Sequence, residues 1–311
     1  MQARVIVILG TTASGKSALA RGLAAALDGE VLSIDSMKVY RGMDIGTAKP
    51  SPQQRAAVPH HLIDVADPWE SFSAARFVTL ADQAVEEIHQ RRRPVIAAGG
   101  TTLYFKCFYE GMFEGPPAHP EFRSALRTRI EREGLDALHA ELARIDPAAA
   151  ERIHRNDRRR IERALEVHHL TGRPISDLQR QWDRAGPRRT DWRWTLIGLR
   201  WPKEIAARRI NARVRRMIDA GLVEEARRLW NDPRGLSEQA RQAVGYRELF
   251  EHFQGRYTLD DAIERIKIDT RRLAKAQRTW MKRLPGVAWI DLDEGDAVET
   301  VLPRAYELIE A

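Results

Sequence analysis

Residues 5–27 read VIVILGTTASGKSALARGLAAAL, and this stretch decides the fold. Val5 to Leu9 is a β-branched and aliphatic run that stops at Gly10, the mark of a strand buried on both faces. Ser17 to Leu27 is rich in Ala and Leu and reads as a helix. Between them Gly10, Thr11, Thr12, Ala13, Ser14, Gly15, Lys16 and Ser17 fit the pattern G-x-x-x-x-G-K-S/T, in the strand-to-helix setting that gives it physical meaning. The glycines let backbone N–H groups turn inward around phosphate oxygens, Lys16 adds a point charge, and the helix N-terminus adds a partial positive charge. Ser17 is placed to ligate Mg²⁺.

Working outward, Val31 to Ile34 reads as a second strand that ends on Asp35. Ala81 to Gln90 is helical in pattern, Arg93-Pro94 breaks it, and Val95 to Ala98 forms a strand ending in Gly99-Gly100. Strands alternating with helices predict a parallel sheet whose functional loops lie at the strands' C-terminal edge. Near Gly115-Pro116-Pro117 the texture changes, and Glu121 to about Gln181 is arginine-rich and helical with almost no strand signal. Trp192 to Leu199 is again strand-like, followed by helices over Lys203–Ala220, Leu222–Trp230 and Asp260–Arg283. A last strand over Val287–Ile290 and a closing helix over Ala297–Glu310 complete the pattern. The expected fold is therefore α/β, a P-loop NTPase-like parallel sheet core with an inserted all-helical domain. The divisions expected are 1–116 and 191–311 for the core and 117–190 for the insertion.

At 311 residues the chain is long enough for about two domains. A single cysteine, Cys107, excludes an intrachain disulfide and a Cys-based zinc site and predicts a reducing, cytoplasmic setting. The opening MQARVIVILG has no basic leader and no apolar run approaching the roughly 18 residues of a membrane span, so neither export nor membrane association is expected. A monomer is expected.

Net charge is +7, from 51 basic and 44 acidic side chains, and 43 of the basic ones are arginine, the better fit to phosphate. The excess is localised. Residues 200–283 carry 21 basic and 12 acidic groups, and residues 120–189 carry 16 arginines against 12 acids. Residues 1–119 with 190–199 balance at 13 against 13. Two cationic blocks in the second part of the chain predict a polyanionic partner such as nucleic acid; a salt-bridged helical surface is the competing explanation.

Nucleotide hydrolases add an apolar strand ending in an acid, but Val95 to Ala98 ends in glycines. Asp35 is the nearest candidate carboxylate. The polar, aromatic and glycine-rich run from Asp35 to Pro50 has the make-up of a binding loop, and Gly99-Gly100-Thr101-Thr102 makes a second glycine turn into a helix. Further on, Arg271, Lys275 and Arg278 share one helix face by spacing. His60 and His61 are adjacent, do not share a face, and read as structural. On the P-loop alone a small-molecule or nucleoside kinase stays open, and on charge alone an RNA-binding ATPase module.

Taken in order, several segments resemble the tRNA dimethylallyltransferase (tRNA isopentenyltransferase) family over nearly the whole chain. They are GTTASGKS, DSMKVYRGMDIGTAKP (35–50), HHLID (60–64), GGTTLYFK (99–106), DRRRIERALEV (157–167), RVRRMIDAGLVEEA (213–226), QAVGYRE (242–248) and DTRRLAKAQRTW (269–280). The resemblance implies transfer of a dimethylallyl group from its diphosphate to the exocyclic amine of adenosine at tRNA position 37, with Mg²⁺. The P-loop, labelled ATP-binding in many relatives, would cradle the donor's pyrophosphate with Arg213. Asp35 matches the general base and Thr101 a threonine that orients the reacting groups. The same resemblance implies tRNA contacts from Asp35, Ser36, Met37, Lys38 and Thr101, and from Arg123, Arg159, Arg160, Ile161, Glu162 and Arg163. Ala240, Arg241, Gln242, Ala243, Val244 and Gly245 form a further implied contact segment. The last is Thr270, Arg271, Arg272, Leu273, Ala274, Lys275, Ala276 and Gln277. Lys38 departs from the pattern, standing where many relatives carry Gln. A target base stacked in the anticodon loop is expected to flip into a channel.

Overall fold

The structure, a computed structural model, describes residues 2–112, 115–180 and 187–310. Its strands are β1 (Ala3–Gly10), β2 (Glu30–Ile34), β3 (His60–His61), β4 (Val95–Gly99), β5 (Trp192–Arg200) and β6 (Ala288–Asp291). They form one parallel sheet in the order β3-β2-β4-β1-β5-β6. Because every strand runs the same way, Gly10, Ile34 and Gly99 deliver their following loops to one edge, and β2, β4 and β1 are neighbours there.

The helices are α1 (Lys16–Ala26), α2 (Pro52–Ala57), α3 (Ala74–Gln90), α4 (Thr102–Glu110), α5 (Pro120–Glu133), α6 (Leu135–Ile145), α7 (Pro147–Arg152), α8 (Arg158–Thr171) and α9 (Ile175–Leu178). After β5 come α10 (Lys203–Asp219), α11 (Leu222–Trp230), α12 (Glu238–Arg241), α13 (Tyr246–Phe253), α14 (Leu259–Met281) and α15 (Val298–Glu310). Strand residues alternate between two cores, as a period of two requires. Val5, Val7 and Leu9 pack with Phe77, Phe108, Tyr246 and Leu249, on the side of α3, α4 and α13. Ile6 and Ile8 pack with Leu19, Leu23, Val301 and Ala305, on the side of α1 and α15. No described helix is long and apolar enough to cross a membrane.

The chain divides into two compact units, residues 1–109 with 187–311, and residues 110–186. The divisions expected from the sequence fall at 116/117 and 190/191. The difference has a local cause: Arg188 and Arg189 belong to the sheet unit. Arg188 donates to the carbonyls of Tyr109 (2.6 Å, from its backbone) and Phe108 (2.9 Å), and pairs with Asp82. Arg189 pairs with Glu86 at 2.8 Å and lies over the Trp192 ring. Gln181, the expected end of the helical stretch, lies outside the described residues.

The helical unit has its own core of Leu126, Leu138, Leu142, Ile161, Leu165 and Val167. Beside that core lies Glu166, whose side chain is fully buried. Arg123 grips it with two bonds of 2.8 Å, Arg163 adds one of 2.6 Å, and the His119 N–H another of 2.8 Å. Burial alone would raise the Glu166 pKa, but these donors outweigh it and hold the carboxyl below its usual range.

Candidate active site

The P-loop turns tightly because two residues adopt left-handed backbone, Ala13 at φ 61° and Gly15 at φ 94°, the latter ending directly in α1. Lys16 lies beneath the loop, only 8% exposed, with its ammonium donating to the Thr11 carbonyl at 3.0 Å. Burial first, then repulsion from Arg213 and Lys38, pushes its pKa down to about 7, with Asp35 opposing. A lysine in this state regains its full charge when an anion arrives. Ser14 Oγ is buried with no hydrogen-bond partner among the described residues. Ser17 is the second residue of α1.

Two helices grip the loop from outside. From α10, Arg213 reaches Thr12 Oγ1 at 3.3 Å, and Arg209 donates to the Ala13 carbonyl at 3.1 Å while stacked on Trp201. Trp201 donates its indole N–H to the Ser14 carbonyl at 3.0 Å. From α14, Gln277 accepts the Thr12 N–H at 2.8 Å and donates to the Gly100 carbonyl at 2.8 Å. Arg209 and Trp201 were not anticipated from the sequence. Arg209 stands four residues before Arg213, so helical periodicity carried a signal for it, whereas nothing local pairs Trp201 with residue 14.

Asp35 follows β2 and caps its own turn: Oδ1 accepts the N–H groups of Met37 (2.9 Å) and Lys38 (3.3 Å). The turn is tied to the β4 edge through Thr101, whose hydroxyl oxygen accepts the Ser36 N–H at 2.9 Å and whose proton goes to Ser36 Oγ at 3.1 Å. This junction requires glycine at 99, where a Cβ would stand 1.8 Å from the Ile34 carbonyl oxygen. Asp35, Thr101 and the P-loop thus lie at the ends of three adjacent strands, so Asp35 and the P-loop are about two strand spacings, roughly 10 Å, apart. Lys38 and Arg213 are held below their usual pKa ranges by burial, and Asp35 opposes both shifts.

The rest of the Asp35–Pro50 run has a structural explanation. Glu225 of α11 accepts the N–H groups of Asp44 (2.9 Å), Ile45 (3.0 Å) and Gly46 (3.1 Å), and the Tyr246 hydroxyl at 2.5 Å. Lys49 is buried and bridges Asp44 and Asp64 at 2.6 Å each. His61 pairs with buried Glu30 at 2.7 Å, in keeping with a structural histidine. Bonds from Arg91 are the largest cause holding Glu30 down at about 2, burial opposing and His61 assisting.

Among the other expected contact residues, side chains divide by exposure. In α12 and the turn after it, Arg241 and Gln242 are exposed, Val244 is half-buried, and Ala240 and Ala243 are core. Gly245 has φ 101° and caps α13 through Glu248. Along α14, Arg272, Leu273, Lys275 and Ala276 are exposed, Thr270 and Arg271 are half-buried, and Ala274 and Gln277 are buried. Arg271 donates to Asn211 Oδ1 of α10 at 2.6 Å. In α8, Arg159 and Arg160 are exposed, Ile161 is in the core, and Glu162 is buried against Arg158 at 2.6 Å. Arg123 and Arg163 are committed to Glu166.

A glycine-rich strand-to-helix loop over a buried lysine, walled by arginines of a helix and faced by a carboxylate two strands away, defines the class: a P-loop-like α/β protein. The family model described as IPP transferase matches residues 38–284. A tRNA dimethylallyltransferase from Methylococcus capsulatus is 48% identical over 293 residues, covering 92% of each chain. The crystal structure of the full-length tRNA isopentenylpyrophosphate transferase from Bacillus halodurans superposes with a TM-score of 0.70 at 39% identity, covering 99% of this chain and 97% of that one. A eukaryotic dimethylallyltransferase, described as acting on tRNA in crystallographic snapshots, gives 0.78 at 29% identity, covering 99% of this chain and 80% of that one. The chain belongs to the IPP transferase family.

Proposed function

We propose that this protein is a tRNA dimethylallyltransferase, moving the dimethylallyl group of dimethylallyl diphosphate onto the exocyclic amine of adenosine 37 beside the anticodon. One observation carries the mechanism: the loop that suits a diphosphate and the carboxylate that suits a proton are about two strand spacings apart at one sheet edge. The amine nitrogen forms its bond to the prenyl C1 as the C1–O bond breaks, and that bond's electron pair leaves with the diphosphate. Lys16, Arg213 and the loop amides stabilise the departing charge. The amine's proton passes to the Asp35 carboxylate, whose second oxygen is free of the turn bonds that occupy Oδ1.

The Ser17 hydroxyl, on the second residue of α1, would ligate Mg²⁺ together with diphosphate oxygens and water. That donor set fits the ion, which when bound would neutralise charge on the diphosphate. The exposed Arg159, Arg160, Arg241, Arg272 and Lys275 provide phosphate-seeking charge for the tRNA. Surroundings that reduce thiols accord with the lone, buried Cys107.

The test is transfer of radiolabel from dimethylallyl diphosphate to an anticodon stem-loop with adenosines at positions 36 to 38, in Mg²⁺. Label from ATP appearing on a small molecule, with none moving from the prenyl donor, overturns the proposal in favour of a kinase.

A further inference from the structure

We infer that Gln277 is a positioning residue for the diphosphate cradle, locking the peptide plane between Thr11 and Thr12 from helix α14, and not a tRNA contact. The inference rests on the proposed reading of the loop as a diphosphate site. Both polar ends of that peptide are engaged. Its N–H, on Thr12, donates to Gln277 Oε1 at 2.8 Å. Its carbonyl, on Thr11, accepts from Lys16 Nζ at 3.0 Å and from the Ser14 N–H at 3.2 Å. The plane therefore sets where the cradle's lysine rests before an anion arrives.

Gln277 in turn is fixed at its other end, where Nε2 donates to the Gly100 carbonyl at 2.8 Å. The side chain is 5% exposed, and it shares the inward side of α14 with buried Ala274, while Leu273, Lys275 and Ala276 face out. A primary amide supplies one donor end and one acceptor end without a charge. A carboxylate would lose the bond to Gly100 and place negative charge beside the anion site. Freed from Gln277, the Thr11–Thr12 peptide can turn its carbonyl toward incoming phosphate oxygens and repel them.

Gln277→Leu removes both bonds at similar volume. With both bonds lost, a tenfold rise in the Kd of inorganic pyrophosphate, about 1.4 kcal/mol, is expected by calorimetry. The KM for dimethylallyl diphosphate rises in parallel with kcat nearly unchanged, the signature of lost uniform binding, and stem-loop affinity stays within twofold. Gly100→Ala perturbs the same amide from its far side, because the new Cβ would stand 2.5 Å from Gln277 Nε2, and it reproduces the pyrophosphate defect. Pyrophosphate Kd values within twofold of wild type in both variants overturn the inference, as does a loss confined to stem-loop binding. If wild-type protein binds pyrophosphate but transfers no prenyl group, the proposed reaction fails, and the pyrophosphate measurements still decide the role of Gln277.

Discussion

Replacing Lys16 by methionine is expected to stabilise the protein at neutral pH while removing its affinity for pyrophosphate. Lys16 is 8% exposed, and burial, with repulsion from Arg213 and Lys38, lowers its pKa from 10.5 to about 7. In the unfolded chain the ammonium keeps its proton up to about 10.5. Between pH 7 and 10.5 the unfolded state therefore binds the extra proton, and stability rises with pH across that window. The full difference corresponds to about 5 kcal/mol of destabilisation at and below pH 7, fading to nothing by the unfolded value. Methionine occupies similar space without that cost. Urea unfolding should show Lys16→Met more stable than wild type by several kcal/mol at pH 7, the gap closing steadily toward pH 10. At a fixed charge state of pyrophosphate, wild-type affinity should fall as pH rises above 7, where the free lysine has lost its proton and the bound one keeps it. A stability gap that does not change with pH, or a variant less stable at pH 7, refutes the reasoning.

Three further outcomes follow from the geometry. Asp35→Asn keeps an oxygen for the Met37 and Lys38 N–H groups but cannot take a proton, so turnover should drop at least about a hundredfold with stem-loop binding retained; unchanged turnover removes Asp35 as the base. Glu225→Ala strands three backbone donors and the Tyr246 hydroxyl, and urea unfolding should register a loss of about 3–5 kcal/mol; a loss under about 1 kcal/mol contradicts the anchoring role. Arg160→Ala, at an exposed arginine paired with Asp157, should weaken stem-loop binding and flatten its salt dependence with stability unchanged, whereas Arg163→Ala should chiefly destabilise by removing one of the donors to buried Glu166. Equal salt slopes for the wild type and Arg160→Ala would place Arg160 on a solvated face.

The strands β1, β2, β4 and β5 were legible because each holds four or more consecutive buried, largely apolar residues. Strand β3 was not, being two histidines whose pairing with Val31 and Leu32 has no apolar signature. Helices α12 and α13 carry little periodic signal for a related reason: they are four and eight residues long. The P-loop was legible because its chemistry is contiguous. Its outer grips were not, since Gln277 meets Thr12 across 265 positions and Trp201 meets Ser14 across 187, distances over which sequence spacing carries no information. The same limit explains the arginines. Nothing in the sequence distinguishes Arg160, which is exposed, from Arg163, which is held by a buried carboxylate three residues on.

The bond between the Arg188 N–H and the Tyr109 carbonyl joins the two points at which the chain leaves the sheet unit and returns to it. Everything from 110 to 186 is then, to the sheet, a single loop on a closed stem. Doubling the length of such a loop adds only about 0.6 kcal/mol of closure entropy. The register of the strands and the spacing between Asp35 and the P-loop are set by pairing among strands that all lie outside this segment. The segment can be lengthened or trimmed at small cost in closure entropy while Asp35 and the P-loop keep their places at the sheet edge.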